Sequence, residues 1–142
     1  MSETGLILRT TQQIVNHFGL VDAAHPHFAD PQGRLDIPGA VFRAVTGKTP
    51  NAFLNDPTYA RILIETNAPV MDALRWISHI LPTESPDSGT GEDIIEHLAG
   101  WLASPDPHLG HRRPNTSDVI GLLERAARAA DTTGTIPAQR AA

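Results

Sequence analysis

The sequence predicts an all-α fold: a compact single domain of five to six short helices, with one small hairpin after the first. Three observations predict it. Apolar residues recur at helical spacing in segment after segment, as in Val119, Leu122, Leu123, Ala126 and Ala130 near the C-terminus. Asp, Asn and Pro stand where helices start, and Gly or Pro where they stop. Aromatic residues are scarce, at two Trp, one Tyr and four Phe, so the core is built mainly from Leu, Ile, Val and Ala.

The first helix is expected from about Gly5 to Phe18. Its stripe is Ile7, Thr11, Ile14 and Phe18, and Gly19 ends it. A turn follows at Asp30-Pro31-Gln32-Gly33, with Pro at the second position and Gly at the fourth. The residues flanking that turn can pair as a short hairpin. The second helix runs from Ile37 to Thr46, between an Asp36 cap and Gly47. The third spans Pro57 to Thr66 behind Asp56, and the fourth Ala68 to Leu81 between Asn67 and Pro82. The fifth spans Glu92 to Ala103, ahead of Pro105 and Pro107. The sixth spans Thr116 to Ala130, with Asn115 as cap and Asp118 in the first turn, where a carboxylate suits the helix dipole. Helices this short and this punctuated by proline favour orthogonal packing over a long bundle.

A chain of 142 residues is sized for one domain. The domain is expected over residues 1–130, with a mobile acidic linker at about 82–91 and a loose tail from Asp131 to Ala142. The absence of cysteine excludes a disulfide framework, a thiolate-bound zinc and a thiol nucleophile. The polar, acidic N-terminus is no signal peptide, and no segment approaches a membrane span. A cytoplasmic location is the expectation. Net charge is −5, and Arg112-Arg113 is the only adjacent basic pair, which argues against binding nucleic acid through its phosphates. No phosphate-binding glycine loop and no nucleophile elbow occurs.

Several constellations can carry chemistry. Asp72, Arg75 and His79 share one face of the fourth helix, with Trp76 beside them. A carboxylate beside an imidazole can make a general base, Asp72 and His79 here, and Arg75 can hold an anion. The plainer reading is a solvated face with one local ion pair. His25 and His27 flank Pro26, and residues two apart in an extended chain face one side. With His108, His111 and the nearby Asp22, Asp30 and Asp106 they can supply ligands for zinc or iron. Neither pair has the i, i+4 spacing of a metalloprotease, loop histidines are common on surfaces, and no cofactor is expected. Asp93 and His97, four apart on the fifth helix with Glu96 adjacent, can make a contact that would raise the imidazole pKa, but the plainer reading is an exposed charge pair. Arg112 and Arg113 precede the start of the sixth helix, where guanidinium groups and free backbone N–H groups can hold phosphate or a partner's carboxylates; the plainer reading is a solvated loop whose Arg side chains meet the protein's own excess acid. Trp101 continues the Ile94–Leu98 stripe and reads as core, whereas Trp76, at the edge of its stripe, is a candidate contact surface, although an aromatic so placed is more often core periphery.

Three stretches together resemble an actinobacterial family of small helical proteins described only as a domain of unknown function. They are Asn16-His17-Phe18-Gly19, the Gly33-Arg34 turn leading to Gly47, and Thr116-Ser117-Asp118-Val119 opening the last helix. The resemblance spans about Leu6 to Ala130. It implies an all-helical fold and brings no established activity.

The functional expectation is a non-enzymatic accessory or regulatory protein that binds another macromolecule, a protein above all. Arg112, Arg113, Arg75 and Trp76 are its contact residues. A homodimer is a further expectation, because an amphipathic helix such as the sixth can pair with its twin. The alternative is a small enzyme or ligand-binding protein of a specialised pathway, with an inter-helix pocket using Asp72, Arg75 and His79. A helix-turn-helix reader is the third option, with Ser117, Asp118, Gly121, Glu124, Arg125 and Arg128 facing outward. The acids on that face oppose phosphate.

Overall fold

The structure is a computed structural model and describes residues 2–21, 28–83 and 90–133. Its helices are α1 (Glu3–Phe18), α2 (Ile37–Thr46), α3 (Ala52–Asn55), α4 (Pro57–Glu65), α5 (Ala68–Ile80), α6 (Gly91–Ala103) and α7 (Thr116–Thr133), with a single 3-10 turn at Pro107–Leu109. The described residues contain no strand, and the fold is all-α. None of their helices is long and apolar enough to cross a membrane.

Local hydrogen bonds explain where the helices begin. The carboxylate of Asp36 accepts from the Gly39 N–H at 2.8 Å, that of Asp56 from Tyr59 at 3.1 Å, and the Asn67 amide oxygen from Val70 at 3.2 Å. At α7 the cap is reciprocal. Asn115 Oδ1 accepts from the Asp118 N–H at 3.0 Å, and Asp118 Oδ2 accepts from the Asn115 N–H at 2.8 Å. Proline then occupies the first turn of α2, α4 and α5, where its missing N–H removes no helical bond.

α5 lies at the centre and touches α1, α2, α4, α6 and α7. It buries Val70, Met71, Ala73, Leu74, Trp76, Ile77 and Ser78. α1 and α7 run antiparallel along one flank: the start of α1 meets the end of α7 through Ser2 and Asp131, and its middle meets Glu124 through Gln12. The apolar stripe of α7, Val119, Leu122, Leu123, Ala126, Ala127 and Ala130, is spent on α1 and α5. It is therefore not free to pair with a twin helix as the sequence reading expected.

The principal differences from the sequence reading lie at α3, at the end of α7 and around the expected linker. α3 is an added helix, too short to show a stripe. α7 continues to Thr133, so Asp131 belongs to the helix and not to a loose tail. Its carboxylate accepts from the Ser2 N–H at 2.8 Å and from Arg9 at 2.7 Å, and these bonds hold its pKa down to about 2. At the margins of the expected linker, Thr90 caps α6 and Thr83 bonds His97; residues 84–89, like 134–142, lie outside the described residues.

The expected hairpin reduces to isolated bridges. The turn closes as expected, with Gly33 N–H on Asp30 O and Asp30 N–H on Arg34 O, both at 3.0 Å. Leu35 pairs with Ala29 on one side and with Leu20 on the other, and the chain enters α2 directly afterwards, which leaves no length for a ladder.

Candidate functional site

The Asp72–Arg75–His79 face of α5 stays in solvent. Asp72 and Arg75 stand 3.8 Å apart, with the carboxylate side chain 57% exposed, and His79 is exposed. Trp76 is not a contact surface: it is buried at 4% exposure, and His79 meets its ring edge-on at 5.8 Å. The indole turned inward because α5 is the central helix, and a stripe edge on a central helix still faces a neighbour. This face has the solvated ion pair of the plainer reading and no enclosing wall.

The arginine pair before α7 divides. Arg112 grips Asp118 with both guanidinium nitrogens, at 2.5 and 3.1 Å. That bond is the main cause of the lowered Asp118 pKa. Arg112 is thus committed to the helix cap. Arg113 is exposed, and its side chain has no acceptor among the described residues. It lines an open cavity of about 440 Å³ with Leu20, Val21, Leu102, Pro114, Asn115 and Thr116. On the outward face of α7, Ser117, Arg125 and Arg128 are exposed, while Glu124 is engaged. Glu124 accepts from Gln12 of α1 at 3.0 Å and from Arg128 at 2.9 Å, with Arg9 at 3.6 Å.

Of the histidines proposed as metal ligands, His25 and His27 lie outside the described residues. Among the described residues, no three His, Asp or Glu side chains gather as a metal site. His108 Nδ1 sits 3.0 Å from Asp106 Oδ1. His111 is exposed and held in the left-handed region, at φ 63°. Both belong to a loop organised by Asp106. That carboxylate is buried at 5% exposure and accepts from Trp101 Nε1 at 3.0 Å and from the His108 N–H at 2.8 Å. The indole bond is the main reason its pKa falls below the usual carboxylate value.

His97 departs most from the sequence reading. Its ring is held by two hydroxyls, Ser78 Oγ at 2.7 Å from Nδ1 and Thr83 Oγ1 at 2.6 Å from Nε2. Burial lowers its pKa, the reverse of the rise expected from an Asp93 contact. The neutral ring is the favoured form, with one nitrogen donating and the other accepting. Sequence reasoning missed this group although a signal was there: Ser78 sits in the buried stripe of α5 with Leu74 and Ile77, and a hydroxyl in a stripe needs a partner.

Beside that ring lies a cavity of about 350 Å³, walled by Trp101, Pro105, Pro107 and Gly100, with the Thr83 and Ser104 hydroxyls at its polar part. A further cavity of about 500 Å³ runs between Phe28, Asp36, Pro57 and Arg61, with Ile95 on α6. Arg61 spans to α6 through Glu96 at 2.6 Å and Glu92 at 3.5 Å.

Among the described residues, the exposed large apolar side chains are Leu6 on α1 and three on α3 and α4: Leu54, Tyr59 and Ile62. Tyr59 and Ile62 share one face of α4 at i, i+3 spacing, and α3 packs on α4 immediately before them. No protein-family model, no curated protein and no solved structure matches this chain.

Proposed function

We propose that this chain is a cytoplasmic accessory or regulatory protein that works by binding another protein, with no reaction of its own. The observation that supports the reading is the apolar face of α3 and α4, where Leu54, Tyr59 and Ile62 are each about half exposed, at 53%, 53% and 49%. Single exposed apolar residues are ordinary, but three on adjoining short helices form a patch of the kind that partners cover. Tyr59 adds an aromatic body with a hydroxyl at its tip, the residue type that most often anchors an interface. Arg113, without an acceptor among the described residues, offers a positive charge elsewhere on the surface. Placement in the actinobacterial family of small helical proteins is part of the same proposal and leaves the activity open.

The test is co-purification of the tagged chain from its own host beside a Tyr59→Ser, Ile62→Asp variant of equal thermal stability. The reading expects one partner at fixed stoichiometry with the parent chain and at least tenfold less with the variant. Equal capture by both removes this face. A concentration-dependent homodimer that the variant abolishes would make the partner a second copy.

A further inference from the structure

We propose that the cavity between α6 and the Ser104–Pro107 loop is a small-molecule site for a neutral, planar two-ring aromatic that carries one hydrogen-bonding group. This goes beyond the protein-binding reading and uses none of its residues. It also places the ligand pocket away from Asp72, Arg75 and His79.

Size and shape come first. The cavity measures about 350 Å³, against the ~150 Å³ that encloses benzene, so it admits two fused rings. Its walls are flat and apolar: the Trp101 indole, Pro105 and Pro107. Flat walls favour a flat ligand, and an indole edge or face adds to the contact with an aromatic one.

Charge decides the class. Among the described residues no Lys or Arg lines the cavity, so an anion would enter unpaired. Of the two lining carboxylates, one is already ion-paired and the other is buried and hydrogen-bonded, so neither is a free partner for a cation. Glu96 is bound to Arg61 at 2.6 Å, and Asp106 is held by Trp101 Nε1, the His108 N–H and His108 Nδ1. A neutral ligand is what remains. The Thr83 hydroxyl spends one position on His97, and the Ser104 hydroxyl meets no partner among the described residues. Each can therefore pair with a ligand N–H, O–H or carbonyl.

Gly100 supplies a position at which to test the site. It sits inside α6, where glycine is less favourable than alanine by about 1 kcal/mol. A Cβ there would meet nothing within 4 Å. Gly100 is exposed and lines the cavity, so a side chain placed there would stand beside it without clashing with the described residues.

The experiment is titration of the full chain with indole, followed by the Trp101 indole N–H and the Gly100 amide in proton–nitrogen spectra. Saturable shifts at both, with Kd of roughly 10 to 1,000 µM, are expected for a ligand of this size. Gly100→Leu should keep the thermal midpoint and weaken binding at least tenfold. Gly100→Ala, a better helix former, should weaken it about threefold. Indole carboxylate should bind at least tenfold more weakly than indole. No saturable shift at Trp101, equal affinity in Gly100→Leu, or equal affinity for the carboxylate would each overturn the proposal. Because the probe is a small molecule, these outcomes leave the α3–α4 reading untouched.

Discussion

Asp30 and Asp106 head two loops built on one plan. Each is buried at 5% exposure, each is followed by proline, and each loop turns on a glycine with positive φ, Gly33 at 84° and Gly110 at 70°. Each also closes through a backbone bond of 3.0 Å, from the Asp30 N–H to Arg34 O and from the Asp106 N–H to Arg112 O. The partners of the carboxylates differ. At Asp30, burial alone would raise the pKa, and the Arg34 guanidinium at 2.6 Å with the Arg34 and Gln32 N–H groups brings it below normal. At Asp106 the largest influence is a neutral indole donor that is itself buried. A carboxylate compensated from exposed residues can be lost to water, whereas one that satisfies a buried donor cannot be removed without stranding it.

The largest expected effect follows from that difference. Asp106→Ala leaves Trp101 Nε1 without an acceptor in a buried site and should lose about 3–4 kcal/mol in urea denaturation. In a Trp101→Phe background the same replacement should lose less than half as much. An unchanged loss would mean that the indole bond is not what sets the two loops apart.

Gly39→Ala tests what the Asp30 loop packs on. A Cβ at Gly39 would stand 2.4 Å from the Phe28 carbonyl oxygen, a backbone atom that cannot swing away. A loss of roughly 2–3 kcal/mol is expected, read from the thermal midpoint. A neutral outcome would show that the start of α2 is free to shift.

Asp30→Ala should lose less, roughly 1–2 kcal/mol, because Arg34 and Gln32 are exposed and water replaces the lost acceptor. Salt sharpens the contrast. At about 1 M the Asp30→Ala difference should shrink, since Arg34 is half exposed, while the Asp106→Ala difference should hold. The pH dependence has one sign for both. Each folded-state pKa lies below the ordinary 3.8, so the stabilisation is complete above that value and is lost as pH falls through the folded-state pKa. Both variants should therefore converge on the parent chain in acid, and a difference that grows on acidification would reverse the assignment.

The smallest expected effect is a gain. His111 holds φ 63° directly after Gly110, and His111→Gly should add roughly 0.5 kcal/mol by relieving the left-handed strain. A loss would mean that the His111 side chain makes a contact the loop depends on.

The caps at Asp36, Asp56, Asn67 and Asn115 were readable in the sequence because each spans three residues. The stripe of α7 was readable because its period is local. Other features were not. Trp76 reads as a stripe edge, and its burial depends on α5 being the central helix, which no local pattern encodes. Arg112 reads either as an anion site or as a partner for the protein's own acids, and its pairing with Asp118 in particular depends on how the loop enters α7. His97 lies four residues from Asp93, yet its ring is held by Ser78, 19 positions back, and by Thr83.

The sequence by itself determined the helical class, the principal helices and most of their boundaries, because helix periodicity and capping are interactions among near neighbours. Tertiary structure alone decided which faces were consumed, that α1 and α7 zip together through Ser2 and Asp131 across 129 positions, and that Trp101 and Asp106 meet in a buried pair. Those outcomes depend on which helix lies against which. Burial and donor–acceptor pairing between distant segments are set by packing, and packing has no local period to read.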